Sequence, residues 1–459
     1  MDELATLTHA QPAGLVGSVV ETTGLLATVA DLPAPIGAVV RIGVSSAQET
    51  GGIEAEVVGF RGRMTMVSPL GPLSGVRRGQ PVRLVRSTRK LRVGEALLGR
   101  VVNALGEPID GLSRPALPYR VEIERPPTPA LERPPIDAPL STGVRAIDTM
   151  LSCGRGQRLG VFAGSGVGKS TLLGMMTRYT AADVIVIGLV GERGREVNEF
   201  LQRDLGPEGR QRSVVVVSTS DEPAPLRLRA ASTATAIAEH FRDQGKDVLL
   251  LVDSLTRTAL ASRELGLAAG EPPTTRGFPP STFALLPRLV ERAGRTTRGS
   301  ITAFYSVLVE GDDPDDPVAD TLRGLLDGHV WLDRKVASRG HYPAIDVTQS
   351  ISRLMPEITT KQHQQAAQIV RRLLAALSEN EDLISIGAYR RGANPIVDVA
   401  IDLRGEIDGL LQQATDQVID HQTVVTQLTE LGIKAATMLA QPSPPQQLGQ
   451  QAPAQRAAN

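Results

Sequence analysis

Aromatic side chains make up only 3% of this 459-residue chain, as seven Phe, five Tyr and one Trp. Phe60 stands alone among them in the first 90 residues, so this region lacks the platform on which nucleic-acid bases stack. A single cysteine, Cys153, excludes a disulfide framework and fits a reducing compartment. No run of about 18 apolar residues occurs, which excludes an ordinary membrane-spanning helix. The opening Met1-Asp-Glu-Leu4 has neither the basic region nor the apolar core of a signal peptide, so the expectation is a cytoplasmic protein. A net charge of −1 removes any global pull toward nucleic acid or anionic lipid. Lysine is scarce too: six are present, and Lys169 is the only one between Lys90 and Lys246. In a chain that otherwise uses arginine, a lone lysine marks a place where a compact point charge is required.

That lysine lies in Ala163-Gly-Ser-Gly-Val-Gly-Lys-Ser-Thr171, after the apolar run Leu159 to Ala163 and before a stretch with helical character, Leu172 to Tyr179. Strand, glycine-rich loop, Gly-Lys-Ser and helix together form a phosphate-binding loop. The backbone N–H groups of Gly164, Ser165, Gly166, Val167 and Gly168 are expected to turn onto phosphate oxygens, because glycines leave no Cβ in the way. Lys169 is expected to reach the β- and γ-phosphates, the Ser170 hydroxyl to ligate Mg²⁺, and Thr171 to complete the loop. Ala163 stands where the first glycine is usual, and we read it as a tolerated variant.

Residues 1–92 read as short strands, among them Gly17–Val20, Gly24–Val29, Ala38–Val44, Glu54–Val58 and Met64–Val67, separated by turn signals, the pattern of a small β-barrel. From 93 to 357 a proline-rich connection leads into apolar strand runs that alternate with helices: Asp183–Gly188, Ser213–Val217, Asp247–Val252, Ile301–Leu308 and Gly328–Leu332. Such continuous runs suit parallel strands buried on both faces. Helices are expected from 358 to 440, where Ala366, Ile369, Val370, Leu373, Leu374 and Leu377 make a core stripe. The Gln-, Pro- and Ala-rich residues 441–459 are expected to be a disordered tail.

Asp253 ends a hydrophobic strand and is expected to hold Mg²⁺ through water. Glu192, after the Asp183 to Val190 strand, is placed to orient and polarise an attacking water; Glu196 and Glu199 read as solvated charges. The basic cluster of Arg77, Arg78, Arg83, Arg86, Arg89 and Lys90 reads as a solvated face or a contact for acidic protein or lipid.

Gly191-Glu-Arg193, the Asp253 strand, Val101 to Gly111 and Gly143 to Asp148 resemble the catalytic subunits of rotary ATPases. Asp253 to Arg257, Gly266 to Ser281, Phe283 to Leu289, Leu325 to His329 and His341 to Asp346 resemble more closely the ATPases of flagellar and type III protein export. The resemblance implies an α/β fold with a RecA-like P-loop core, an N-terminal barrel acting as an oligomer collar and a C-terminal helical domain. It implies ATP and Mg²⁺ as ligands, Glu192 as the catalytic glutamate with Arg193 beside it, and Arg257 near the γ-phosphate. Tyr342 matches the aromatic that stacks on adenine, and Arg353 matches an arginine finger that reaches a neighbouring subunit's nucleotide. The local sequence alone reads Tyr342 as a turn residue and Arg353 as a surface charge.

Three readings of such a ring compete. A nucleic-acid motor of the transcription-terminator type needs the aromatic platform that is missing. A rotary synthase subunit needs an acidic C-terminal motif, where this chain has Ile386 to Pro395. An export ATPase remains, and Asp320 to His329 inclines the resemblance to the flagellar system over the injectisome. The implied partners are five further copies in a homohexamer, a negative regulator or stator, a central stalk protein, export chaperone–substrate complexes and a membrane export gate approached peripherally, with no nucleic acid.

Overall fold

The computed structural model describes residues 14–44, 51–309 and 316–441. The expected tail therefore lies, apart from Gln441, outside the described residues.

Six strands close the first barrel: β1 (Val16–Thr23), β2 (Leu26–Ala30), β3 (Val39–Ile42), β4 (Ile53–Arg61), β5 (Met64–Pro69) and β6 (Pro81–Arg86), in the order β1-β2-β5-β4-β3-β6. Alternation drives it: Val19, Val29, Val40, Val57, Val67, Val82 and Leu84 point inward and share one core. The strand runs named from sequence supply the first five, while β6 lies inside the basic cluster. That cluster is only partly solvated. Arg77 and Arg78 are exposed, but Arg89 is 8% exposed and bonds Glu54 at 2.7 Å, with Arg41 at 3.3 Å and Arg86 at 4.0 Å from the same carboxylate. Burial opposes the Glu54 charge, yet these guanidiniums hold its carboxyl below the usual range.

Among the described residues a nine-stranded sheet forms the second layer. Its path uses β7 (Val101–Asn103), β8 (Arg158–Ala163), β9 (Val184–Glu192), β10 (Ser213–Thr219), β11 (Asp247–Asp253), β12 (Ser300–Leu308), β13 (Gly328–Leu332) and β14 (Ile351–Ser352). The order is β14-β13-β8-β12-β11-β9-β10-β7, parallel from β13 to β7, with β14 antiparallel at one edge. Val186, Ile187, Leu249, Leu250 and Ala303 are fully buried, because helices cover both faces. Close cover needs small residues: a Cβ on Gly188 would sit 3.1 Å from Ala234 on the overlying helix Ala224–Asp243.

Three long helices end the described chain: Lys361–Glu379, Pro395–Leu411 and His421–Ala440, capped by Thr360, Asn394 and Asp420. Gly432 lets the last approach the first, since a Cβ there would lie 2.6 Å from that of Ala366. The expected stripe is core, as Ala366, Val370 and Leu373 are buried. This bundle is joined to the sheet layer at Asp148, on the short helix Arg145–Met150. The buried Asp148 carboxylate accepts from the Ser141 hydroxyl (2.8 Å), the Thr142 N–H (2.8 Å) and hydroxyl (2.7 Å), and the Gly143 N–H (3.2 Å). His421 stands 3.6 Å from it. His363, beside them, donates Nε2–H to the Thr149 carbonyl at 2.6 Å.

Asp148 raises the His421 pKa, so the folded chain keeps a proton that the unfolded chain gives up first. The resulting stability is complete below the ordinary imidazole pKa and is lost as pH rises from there through the raised value. Thermal melts across that window should fall with pH more steeply for the natural chain than for His421→Gln; parallel curves would remove His421 from the junction.

Candidate functional site

The loop Gly164–Gly168 leaves the end of β8 and enters the helix Lys169–Tyr179, labelled α1. Gly166 and Gly168 have φ of 79° and 92°, a region that a side chain would strain. Ala163 has no such need. It is the last residue of β8, buried and paired with Leu308 and Leu332 on its two neighbours. The departure from the usual loop pattern thus falls on strand backbone, where alanine fits. Ser170 lies exposed in the first turn of α1, where free backbone N–H groups and the helix dipole favour an anion.

Lys169, Glu192 and Asp253 come from three elements and meet at the C-terminal edge of the sheet. Lys169 Nζ donates to Asp253 Oδ1 at 2.5 Å and lies 3.9 Å from Glu192 Oε1. Asp253 Oδ1 also accepts from the Ser306 hydroxyl at 2.8 Å, across from β12. Arg257, in the helix α2 (Leu255–Ala268), stands 3.2 Å from Glu192 Oε2 and donates to the Gly191 carbonyl. Gly191 is needed there: its φ is 69° and a Cβ would sit 3.0 Å from Arg257 Cδ. Glu192 is buried, and burial together with the nearby Asp253 charge pushes its pKa up to about 7 despite Lys169 and Arg257. A carboxyl titrating near neutrality suits a proton acceptor at working pH.

The donor set fits Mg²⁺. The Asp253 carboxylate and Ser170 hydroxyl are hard oxygen ligands of the kind that ion takes, with waters completing its shell. Glu192 Oε1 is buried with no hydrogen-bond partner, so the site has an unmet demand for a donor. Bound there, the ion would neutralise charge on the β- and γ-phosphates.

Tyr342 stands next to the loop: a Cβ on Gly168 would lie 3.8 Å from its ring. The ring is half-exposed and borders a cavity of about 440 Å³ also lined by Arg145, Gly340, Gly409, Gln412, Gln413, Ala414 and Gln417. Gln413 builds that cavity. Its side chain accepts from the Arg145 N–H at 2.9 Å and donates to the Gly143 and Gln417 carbonyls at 2.9 Å, while its own N–H bonds the Tyr342 carbonyl at 3.0 Å. Sequence reasoning did not find this wall. Glutamine carries no motif signal, and its partner Arg145 is 268 residues away.

Two expected residues are not gathered at this edge. Arg193 turns outward, its side chain 75% exposed and paired with Glu196 at 3.1 Å, so within one chain it serves the helix start Gly194–Glu199 instead. Glu196 is consequently a paired group, and Glu199 likewise pairs with Arg195 at 2.8 Å. Arg353 follows β14, which pairs Ser352 with Gly328. Gly328 begins β13 whereas Leu332, beside the phosphate loop, ends it. At ~3.3 Å per residue the two lie roughly 13 Å apart along the strand. Arg353 is exposed there, its backbone N–H bonded to the Asp327 carbonyl at 3.0 Å and its guanidinium donating to the Arg323 carbonyl at 3.4 Å.

Residues 143–352 match the family model described as the ATP synthase alpha/beta family, nucleotide-binding domain, and residues 359–430 match the T3SS EscN ATPase C-terminal domain. The flagellum-specific ATP synthase of Bacillus subtilis is 52% identical over 83% of this chain and 86% of its own length. The SPI-2 type 3 secretion system ATPase of Salmonella typhimurium is 50% identical over 82% and 87%. The solved structure of the assembled ATPase EscN from enteropathogenic E. coli aligns with a TM-score of 0.86 at 44% identity, covering 91% of this chain and all of that one. The structure of EscN with its central stalk EscO aligns at 0.83, with the same identity and coverage.

Lys169→Ala removes the one cation shared by both carboxylates and should lower ATP turnover at least ~100-fold; normal turnover by that variant would overturn the site. Tyr342→Ala should raise KM for ATP about 10-fold with kcat nearly unchanged, as expected for loss of one stacking face. An unaltered KM would move the base elsewhere.

Proposed function

This chain belongs to the family of flagellum-specific and type III secretion ATPases, and from that premise we propose that it hydrolyses ATP to drive flagellar protein export. The observation that carries the reading is the convergence of Lys169, Glu192, Asp253 and Arg257 beside a phosphate loop. The triphosphate lies along the loop N–H groups with Lys169 on its terminal phosphates. Glu192 orients water and takes its proton as oxygen attacks phosphorus and the bond to ADP breaks. Arg257 spreads charge from the equatorial oxygens. Ser170 and Asp253 hold Mg²⁺. The base rests against Tyr342 in the cavity built by Gln413.

The remote position of Arg353 supports a ring. One chain holds both a loop site and, at the far end of the sheet, an exposed guanidinium of the type that completes such sites in trans. A homohexamer of identical chains would supply every site with a finger, while Arg193, exposed and paired with Glu196, lies at the site's own edge of the sheet. The barrel is the collar, residues 93–357 the motor and 358–440 the end that faces a central stalk, a kind of partner with which EscN is found in complex. Export of chaperone-bound substrates toward a membrane gate, under a stator-type regulator, completes the role. The contact with the membrane is proposed as peripheral; among the described residues no helix is long and apolar enough to cross one.

ATP turnover per chain should rise with protein concentration, in step with the mass of the assembly. Arg353→Ala should leave nucleotide affinity intact and cut that assembly-dependent turnover by ~10³-fold, the scale of an arginine finger. Monomers that turn over as fast as rings, unaffected by the substitution, would falsify the shared site.

A further inference from the structure

We infer that strand β4 of the barrel positions the catalytic glutamate, acting through the ion pair of Glu56 with Arg229. Both side chains are largely buried, 19% and 12% exposed, although they belong to different layers of the molecule. Arg229 sits on the helix Ala224–Asp243 that covers the sheet, and its Nε has no hydrogen-bond partner. Glu56 is therefore the group that neutralises it. The same strand makes a second attachment further along: Arg61 Nη2 donates to the Ala269 carbonyl at 3.2 Å, at the C-terminal end of α2. Arg61 lies close over Gly270, where a Cβ would be 3.0 Å from the guanidinium.

Both helices also frame Glu192: the Ala224–Asp243 helix at the end that carries Arg229, and α2 at the end opposite Ala269. At the start of the Ala224–Asp243 helix, the Ser220 N–H donates to the Glu192 carbonyl at 3.0 Å, and the Ser218 hydroxyl bonds Glu222 at 2.6 Å. Arg227 donates to the Glu222 carbonyl at 3.0 Å and bridges to Glu264 of α2 at 2.6 Å, tying the helices together two residues before Arg229. The first turn of α2 brings Arg257 to within 3.2 Å of the Glu192 carboxylate. Beneath them, Gly188 and Ala234 pack too closely for the helix to slide over β9 without moving that strand. One barrel strand thus holds both helices, and both helices hold the backbone and side chain of Glu192. Stripping Arg229 of Glu56 leaves a buried cation that can be hydrated only by displacing its helix. Glu56 and Arg229 touch no reacting atom, so they are positioning residues.

The inference rests on the hydrolytic reading above, and the test separates the two. ATP turnover, KM for ATP and the melting midpoint are measured on the full chain for the natural protein, Glu56→Arg, Arg229→Glu, Arg229→Lys and the Glu56→Arg/Arg229→Glu exchange, with the mass of the assembly recorded in each. An inactive natural chain would sink the hydrolytic reading itself. With an active one, each single reversal should lower kcat about 10-fold with KM within about twofold, a loss in the range that small misplacement of a catalytic group produces. The exchange should recover kcat, and Arg229→Lys, which keeps the charge, should hold most of it even if a reversal fails to fold. Three results overturn the inference: reversals with unchanged kcat, a loss the exchange does not recover, or a lowered melting midpoint with kcat per folded ring unaltered.

Discussion

The Lys169 ammonium, set between two buried carboxylates, is the interaction on which the rest of this site depends. Asp253 and Glu192 are both brought out of water at the ends of parallel strands. Two like charges so placed repel strongly in a medium of low effective dielectric. The lysine answers both, at 2.5 Å and 3.9 Å. A triphosphate entering the loop competes for that same cation, and what the carboxylates lose must be replaced. The arrangement therefore selects a ligand that brings its own positive charge. This is the electrostatic reason that the hard oxygens of Asp253 and Ser170 lie where a divalent ion accompanying the nucleotide would be held.

Sheet topology decides which groups can share the lysine. Because β12 runs between β8 and β11, the phosphate loop is one strand removed from Asp253 and two from Glu192. Ser306 of that intervening strand fixes the Asp253 carboxylate. The gap is the width in which phosphates and water must fit, at strand spacings of about 4.8 Å. The same topology consigns β14 to the edge and turns Arg353 toward the other end of the sheet. A lone chain thus carries Arg353 at one end of the sheet and the phosphate loop at the other.

Much of this was legible in the sequence where the signal is local. The phosphate loop, Asp253 and Glu192 each end an apolar run, and a run of buried strand residues is visible without partners. The barrel's alternation was legible for five strands; the sixth was masked by Arg83 and Arg86, which with the neighbouring arginines read as a solvated face. Arg89 could not be assigned from sequence because its partner, Glu54, is 35 residues away. Gln413 and the Glu56–Arg229 pair were hidden for the same reason: they join segments far apart in the chain. Arg193, adjacent to Glu192, has the opposite lesson. Every residue of β9 is buried, on one face or the other, and the chain reaches solvent only where Arg193 leaves the sheet to start the next helix.

The long-range contacts that sequence does not reveal are also the ones that make hydrolysis useful. Gln413 belongs to the segment after Pro395–Leu411 in the helical bundle, yet it bonds the Gly143 carbonyl, the Arg145 N–H and the Tyr342 carbonyl that shape the base cavity. A base stacked on Tyr342, as proposed, would therefore bear on the bundle through one buried amide, that of Gln413. Charge on the phosphates, by contrast, is felt by Lys169, Glu192 and Arg257, which are tied through α2 toward β4. Base and phosphate thus act on different domains. On the proposed placement of ATP, cleavage of its terminal phosphate would act on the second set of contacts rather than on the first.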